Sequence, residues 1–170
     1  HAWLERWPSA EALAAASPAE VIVEWQGLGY NRRAVNLHRA AQHVAAHGWP
    51  DDLTELPGVG RYTADALACF AFGRDVLPVD VNVARIGERT GAAFTSAAAQ
   101  ALMDLGATVC RPKTPLCDRC PVAETCAGLV TGAPEAYPRR AAKAERPHRH
   151  GVAYVLTRGD QVALVRRPPK

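Results

Sequence analysis

Nowhere does the chain approach the roughly 18 consecutive apolar residues that a membrane-spanning helix needs. The opening His1-Ala2-Trp3-Leu4-Glu5 also lacks the basic start and apolar stretch of a cleavable signal. The expectation is a cytoplasmic protein with no membrane partner. Aromatic residues are sparse at 6%, there is one methionine, and no internal repeat is visible, which excludes solenoid and low-complexity classes. Charge of one sign is scarce too. A net charge of +3 is far from that of a histone-like tail, so any nucleic-acid binding must come from locally placed arginines and backbone groups. Cysteines are few and unevenly spread. Four of the five fall between positions 110 and 126 while Cys69 stands alone, which argues against a disulfide framework and for a metal or cluster site. What remains is 48% hydrophobic residues in 170, enough for one domain with a packed core plus a fragment of another.

Helical periodicity dominates the first three quarters. Trp3, Leu4 and Trp7 recur at helical spacing before Pro8-Ser9, Ser9 caps a segment over 10–16, and Ser17-Pro18-Ala19-Glu20 is a capping box that opens a helix to Gln26. Gly27 and Gly29 stop it. Asn31 to His47 sets Ala34, Leu37, Ala41 and Val44 on one face, with Gly48 as the C-terminal cap. An aspartate at 51 or 52 caps a short turn, 62–72 reads as a helix buried on almost every side with Cys69 packed in it, and 97–109 is a strong helix started by Thr95 or Ser96. From 128 to 150 the composition turns to Pro, Ala, Arg and Lys, which reads as a solvated linker with His148 and His150 exposed. The runs 151–156 and 161–165 flank Arg158-Gly159-Asp160 and predict a β-hairpin. The fold class is all-α with that small β fragment.

Three constellations carry chemistry. Leu56-Pro57-Gly58-Val59-Gly60-Arg61-Tyr62-Thr63 feeds a glycine-bracketed turn into a helix N-terminus, where unpaired N–H groups and the helix dipole favour an anion such as phosphate. Asp80, in Val79-Asp80-Val81-Asn82-Val83, stands at the start of the next helix, either as its N-cap or as an isolated acid. Cys110, Cys117, Cys120 and Cys126 give C-x6-C-x2-C-x5-C, compact enough to surround one [4Fe-4S] cube, with a structural zinc as the rival occupant.

Taken together, these motifs resemble the helix-hairpin-helix, Gly-Pro-Asp DNA glycosylase superfamily, and within it the A/G-specific adenine glycosylases of the MutY type. The resemblance covers nearly the whole chain. It implies a glycosylase core over residues 1–127, a linker over 128–150, and at 151–170 the start of a Nudix-like C-terminal domain that continues through Arg166-Arg167-Pro168. It implies a [4Fe-4S] cofactor on Cys110, Cys117, Cys120 and Cys126, with Arg111 and Lys113 in a basic loop on phosphate. Gly58, Val59, Gly60 and Arg61 would hold DNA phosphate, and Tyr30 would wedge into the base stack. Asp80 would stabilise positive charge on the sugar, and Tyr62 would line the pocket for a flipped base. Bifunctional relatives carry a lysine at the position of Tyr62, so the implied enzyme is monofunctional.

The implied reaction is hydrolytic removal of adenine opposite 8-oxoguanine or guanine in duplex DNA, by a monomer, in base-excision repair. Asn31 departs from the second tyrosine of many members, and 85–96 is shorter than their insertion there. The glutamate that protonates the leaving base is expected on a helix upstream of His1, because none of Glu5, Glu20, Glu24 and Glu55 lies in its motif. Tyr62 also fits G:T mismatch thymine glycosylases, but the Nudix-like start favours adenine. A DNA-binding module without catalysis, or a zinc-bound scaffold, are the alternatives from other classes.

Overall fold

The computed structural model describes residues 2–138 and 147–165. It falls into two units, His1–Arg139 and Arg140–Lys170. The first is helical throughout. Helix α1 (Ala2–Arg6) leads to α2 (Ala10–Ala15), whose N-cap Ser9 accepts from the Ala12 N–H at 3.2 Å. Helix α3 (Pro18–Glu24) begins with the complete capping box, Ser17 and Glu20 serving each other's backbone N–H groups. The Ser17 backbone N–H, helped by its hydroxyl, holds the Glu20 carboxyl below its ordinary pKa. Glu24 is paired with Arg6 at 2.8 Å, so these two acids hold helices together.

Helix α4 (Arg32–His47) is the long strut of the unit, closed by Gly48 at φ +78°. Trp7, Leu13, Val21, Ala34 and Ala41 form the core where α1 to α3 cover α4, with Trp3 edge-on to both Trp7 and Trp25. A second core of Leu53, Leu56, Ala64 and Ala68 seats α5 (Arg61–Phe70) on the turn Leu53–Glu55, which Asp52 caps through the Thr54 N–H. The expected burial of α5 on almost every side is not found. Phe70 and Tyr62 are exposed, and Cys69 is only half-buried, because the apolar stripe of α5 is narrower than its composition.

A third core of Val83, Ile86 and Leu102 locks α6 (Val81–Thr90) against α7 (Ala99–Thr108), the latter entered through the turn Ser96–Ala98. The two helices touch at Gly106, where a Cβ would overlap the Asn82 side chain and come 3.1 Å from its Cα. Gly106→Ala is expected to cost about 1–3 kcal/mol by overpacking this crossing. A denaturant midpoint equal to wild type would show that α7 can slide away freely.

The solvated linker expected from 128 starts later. Helix α8 (Ala127–Val130) and the turn Pro134–Ala136 fold onto the first unit, with Gly128 so close to α6 that a Cβ would lie 3.2 Å from the Arg89 carbonyl. Backbone contacts of this kind leave no hydrophobic periodicity to read. Residues 139–146 of that linker and Arg166-Arg167-Pro168 lie outside the described residues, while 147–150, with His148 and His150, are exposed as expected.

Among the described residues of the second unit, β1 (Thr157–Arg158) and β2 (Gln161–Val162) pair, antiparallel with Thr157 opposite Val162. The hairpin turn is where the sequence places it, with Gly159 at φ +61°. The strands are shorter than expected, since an isolated pair has no second layer to extend against. Among the described residues no helix is long and apolar enough to cross a membrane.

Candidate functional site

The glycine-bracketed turn before α5 forms where the sequence places it, but its two glycines are there for different reasons. Gly58 sits at φ +81°, and a Cβ on it would lie 2.6 Å from the Asn36 Cβ and Nδ2 atoms. Both conformation and packing on α4 require glycine there. Gly60 is the N-cap of α5 with φ −90°, which any residue adopts, and a Cβ there would meet nothing within 4 Å. No side chain caps this end, so the first-turn N–H groups of α5 have no side-chain acceptor and present a positive helix end outward. Arg61 beside it is 85% exposed and spends only its Nε, on Asp65 at 3.2 Å. Val59 is half-buried against the core of Leu53 and Leu56, which anchors the turn, while Tyr62 projects a 44% exposed ring from the first turn of α5.

Tyr30 stands at the opposite end of α4's N-terminal turns. Its backbone is in the left-handed region at φ +49°, where a bulky residue is strained, and its ring is 85% exposed. The turn is pinned by the Trp25 Nε1–H on the Gly29 carbonyl at 2.7 Å, and by the Arg33 N–H on the Tyr30 carbonyl at 2.8 Å. The surrounding bonds hold this strained backbone while the aromatic ring stays on the surface. The Arg33 guanidinium lies over the Trp25 ring at 5.4 Å and lines, with Asn36 and the turn residues Pro57 to Val59, one large groove beside α4.

Of the two readings the sequence allowed for Asp80, the structure shows the N-cap of α6. Its Oδ1 accepts from the Asn82 and Val83 backbone N–H groups, each at 2.8 Å, and its Oδ2 accepts from Asn82 Nδ2 at 2.8 Å. Asn82 in turn accepts through Oδ1 from Arg85 Nη2 at 2.8 Å. The buried Arg85 also donates to the carbonyls of Cys110 at 2.7 Å, Gly106 at 2.6 Å and Val81 at 3.2 Å. A continuous run of bonds therefore joins the carboxylate to the first cysteine of the loop. Sequence reading missed Asn82, Arg85 and Arg89. Their only signal is the i, i+4 spacing of the arginines beside the apolar stripe of α6, which by default reads as a solvated face.

The four loop cysteines line a single small cavity of about 20 Å³, together with Arg89 and the apolar Val109, Leu116 and Leu129. Among the described residues no three His, Cys, Asp or Glu side chains are gathered as a site for a metal ion, and all five cysteines are free thiols. Burial pushes the Cys117 thiol pKa up, and the neighbouring Cys126, Cys120 and Cys110 add to this, against the opposing charge of Arg89. Arg89, 1% exposed, points Nη1 at Cys110 Sγ at 3.4 Å. Its other bonds go to the carbonyls of Arg111 at 2.8 Å, Pro112 at 3.2 Å and Tyr137 at 3.2 Å. None of the described carboxylates forms an ion pair with Arg89. A buried cation at Cys110 Sγ, with the other three cysteines lining the same pocket, suits thiols that become anionic on binding an occupant.

The basic loop divides. Lys113 is exposed, whereas Arg111 is half-buried, bonded by Nη2 to the Thr114 carbonyl at 2.9 Å, with its Nε buried and unpaired. Thr114 itself, at φ +45°, is tied by its N–H to Glu135 at 2.6 Å. Arg111 thus shapes the loop as well as charging it.

Comparison with known proteins places this geometry in context. Residues 1–112 match the model of the HhH-GPD superfamily base excision DNA repair proteins. The chain is 43% identical over 149 residues to the adenine DNA glycosylase of Mycolicibacterium smegmatis, covering 71% of this chain and 51% of that protein. Against the Mycobacterium tuberculosis adenine DNA glycosylase the identity is 39% over 185 residues, covering 91% and 58%. The human adenine DNA glycosylase is 38% identical over 155 residues, covering 73% and 28%. The chain spans about half the length of the mycobacterial relatives it matches. Among solved structures, a thermostable thymine-DNA glycosylase superposes with a TM-score of 0.65 at 24% identity, over 76% of this chain and 74% of that one. A trapped endonuclease III–DNA covalent intermediate gives 0.65 at 23%, with the same coverage. These likenesses establish the shared helical fold.

Proposed function

Because the chain belongs to the HhH-GPD superfamily of base excision DNA repair proteins, we propose that it is the core of a monofunctional adenine DNA glycosylase acting on adenine opposite 8-oxoguanine or guanine. The observation that carries this is Asp80, a carboxylate held by three N–H donors at the head of α6. A rigid negative charge of this kind is what cleavage of an N-glycosidic bond requires. As the C1′–N9 bond breaks, the sugar becomes oxocarbenium-like, and a fixed carboxylate stabilises it without reorganising. Water then adds to C1′ and loses its proton, while the leaving adenine takes one up. Glu20 and Glu24 are engaged by the Ser17 N–H and by Arg6, so neither is assigned as the donor of that proton. Tyr62 offers no amine, so no Schiff base forms and the strand stays intact. The adenine specificity rests on the relatives of 38–43% identity named above.

Cys110, Cys117, Cys120 and Cys126 would hold a [4Fe-4S] cluster, which when bound ties the loop, α7 and α8 together as a structural centre. Arg85 and Arg89 hold the cysteine loop against α6 and thereby keep Asp80 in register. Duplex DNA is bound by the open N-terminus of α5 with Gly58 to Arg61, by Lys113, and by Tyr30 as a wedge.

Gly60→Ala tests this interface cleanly, since the added methyl meets nothing within 4 Å. Thermal stability is expected to stay within about 0.5 kcal/mol of wild type, while affinity for duplex DNA falls alike for all sequences. Unchanged affinity would remove the α5 N-terminus from the phosphate site.

A further inference from the structure

Helix α4 carries a pair of residues that neither the clamp nor the cysteine site uses. His43 and His47 stand one helical turn apart in its last turns, a spacing that puts both rings on one face. Their ring centroids are 5.0 Å apart with planes inclined at 43°. His47 Nδ1 lies 3.2 Å from the His43 carbonyl oxygen. A carbonyl can only accept, so that nitrogen donates, and in the neutral ring Nε2 is the one left with its lone pair. Anchoring one ring nitrogen on a backbone carbonyl to free the other is the outer contact typical of metal-bound histidines.

The spacing agrees with this. An ion about 2.0–2.1 Å from each Nε2 lies about 3.2 Å from each ring centroid, which separates the centroids by about 5.2 Å at a tetrahedral angle and about 4.5 Å at a right angle. The observed 5.0 Å falls between these values. The location helps as well, because the last turn of a helix is its negative end and favours a cation. Arg39, one turn before His43, lines the cavity against Pro18 and Val21 of α3.

We propose that His43 and His47 form a two-imidazole site for a late first-row divalent metal ion, favouring Cu²⁺ over Ni²⁺ in the usual order, with water completing the coordination.

The test uses the untagged 170-residue chain on a resin whose chelated Ni²⁺ has two open positions. Wild type is expected to need at least about fivefold more imidazole for elution than His43→Ala or His47→Ala, since losing one ligand removes the chelate advantage. The decisive control combines Ala45→His with His47→Ala. It keeps the number of histidines but puts the rings at i and i+2 on different faces, and it should elute with the single variants. Elution of this control with wild type would overturn the proposal, showing that histidine count alone matters. Elution of both single variants with wild type would also overturn it, since retention by the cysteine loop or by His148 and His150 survives those changes. In solution, Ni²⁺ alone should raise the melting temperature of wild type above that of the control, and equal shifts would count against the site.

Discussion

Asp80→Asn is expected to slow base release by about a thousandfold or more, the scale on which one preorganised electrostatic contact acts at a transition state. The substitution separates charge from architecture. Asparagine caps helices as well as aspartate does, so the amide oxygen can still accept from the Asn82 and Val83 N–H groups that Oδ1 serves now. The second position is less forgiving. Oδ2 accepts from Asn82 Nδ2, and an introduced amide nitrogen would set donor against donor there. Asn82 cannot relieve this by turning over without losing the bond its Oδ1 accepts from Arg85. A stability loss of about 1 kcal/mol should therefore accompany the catalytic loss. Single-turnover base release and a denaturant melt, on a chain extended to the length of its relatives, measure the two effects separately. A rate within tenfold of wild type would remove Asp80 from the chemistry.

The second large effect is structural. Arg89→Met is expected to cost about 3–5 kcal/mol, through the loss of three hydrogen bonds to backbone carbonyls, and to lower the iron bound per molecule. Methionine keeps the apolar stem but strips donors from the carbonyls of Arg111, Pro112 and Tyr137 and from Cys110 Sγ. Those carbonyls belong to segments on both sides of the cysteine cavity, so the loop and the 127–138 segment should loosen together. A melt paired with iron analysis after anaerobic loading checks this. A loss under 1 kcal/mol with unchanged iron would show that these acceptors find water without cost.

Much of this was legible in the sequence because it depends on local chemistry. Ser9, Ser17 with Glu20, Asp52 and Asp80 all cap the helices their positions announce, since an N-cap is decided within three residues. Gly58 and Gly159 likewise adopt the positive φ their turns demand. What was not legible depends on partners far away in the chain. Arg85 and Arg89 look like solvent-facing charges until α7, the cysteine loop and Tyr137 supply carbonyls around them. Gly106 and Gly128 look like weak points in helices until Asn82 and the Arg89 backbone are seen to fill their Cβ positions. Tyr30 reads as an aromatic at a helix entry, and its left-handed backbone is set by turn bonds that the sequence does not announce. Arg111 reads as a free charge, yet one of its bonds goes to its own loop.

The most direct measurement is product analysis on duplexes that carry adenine opposite 8-oxoguanine, with thymine opposite guanine in parallel, again on the chain extended to its relatives' length. Free adenine should be released from the first duplex and no thymine from the second. The strand should break only after alkali, because Tyr62 cannot form the Schiff base that lyase cleavage needs. Release of thymine instead of adenine, or strand scission without alkali, would contradict a monofunctional adenine glycosylase.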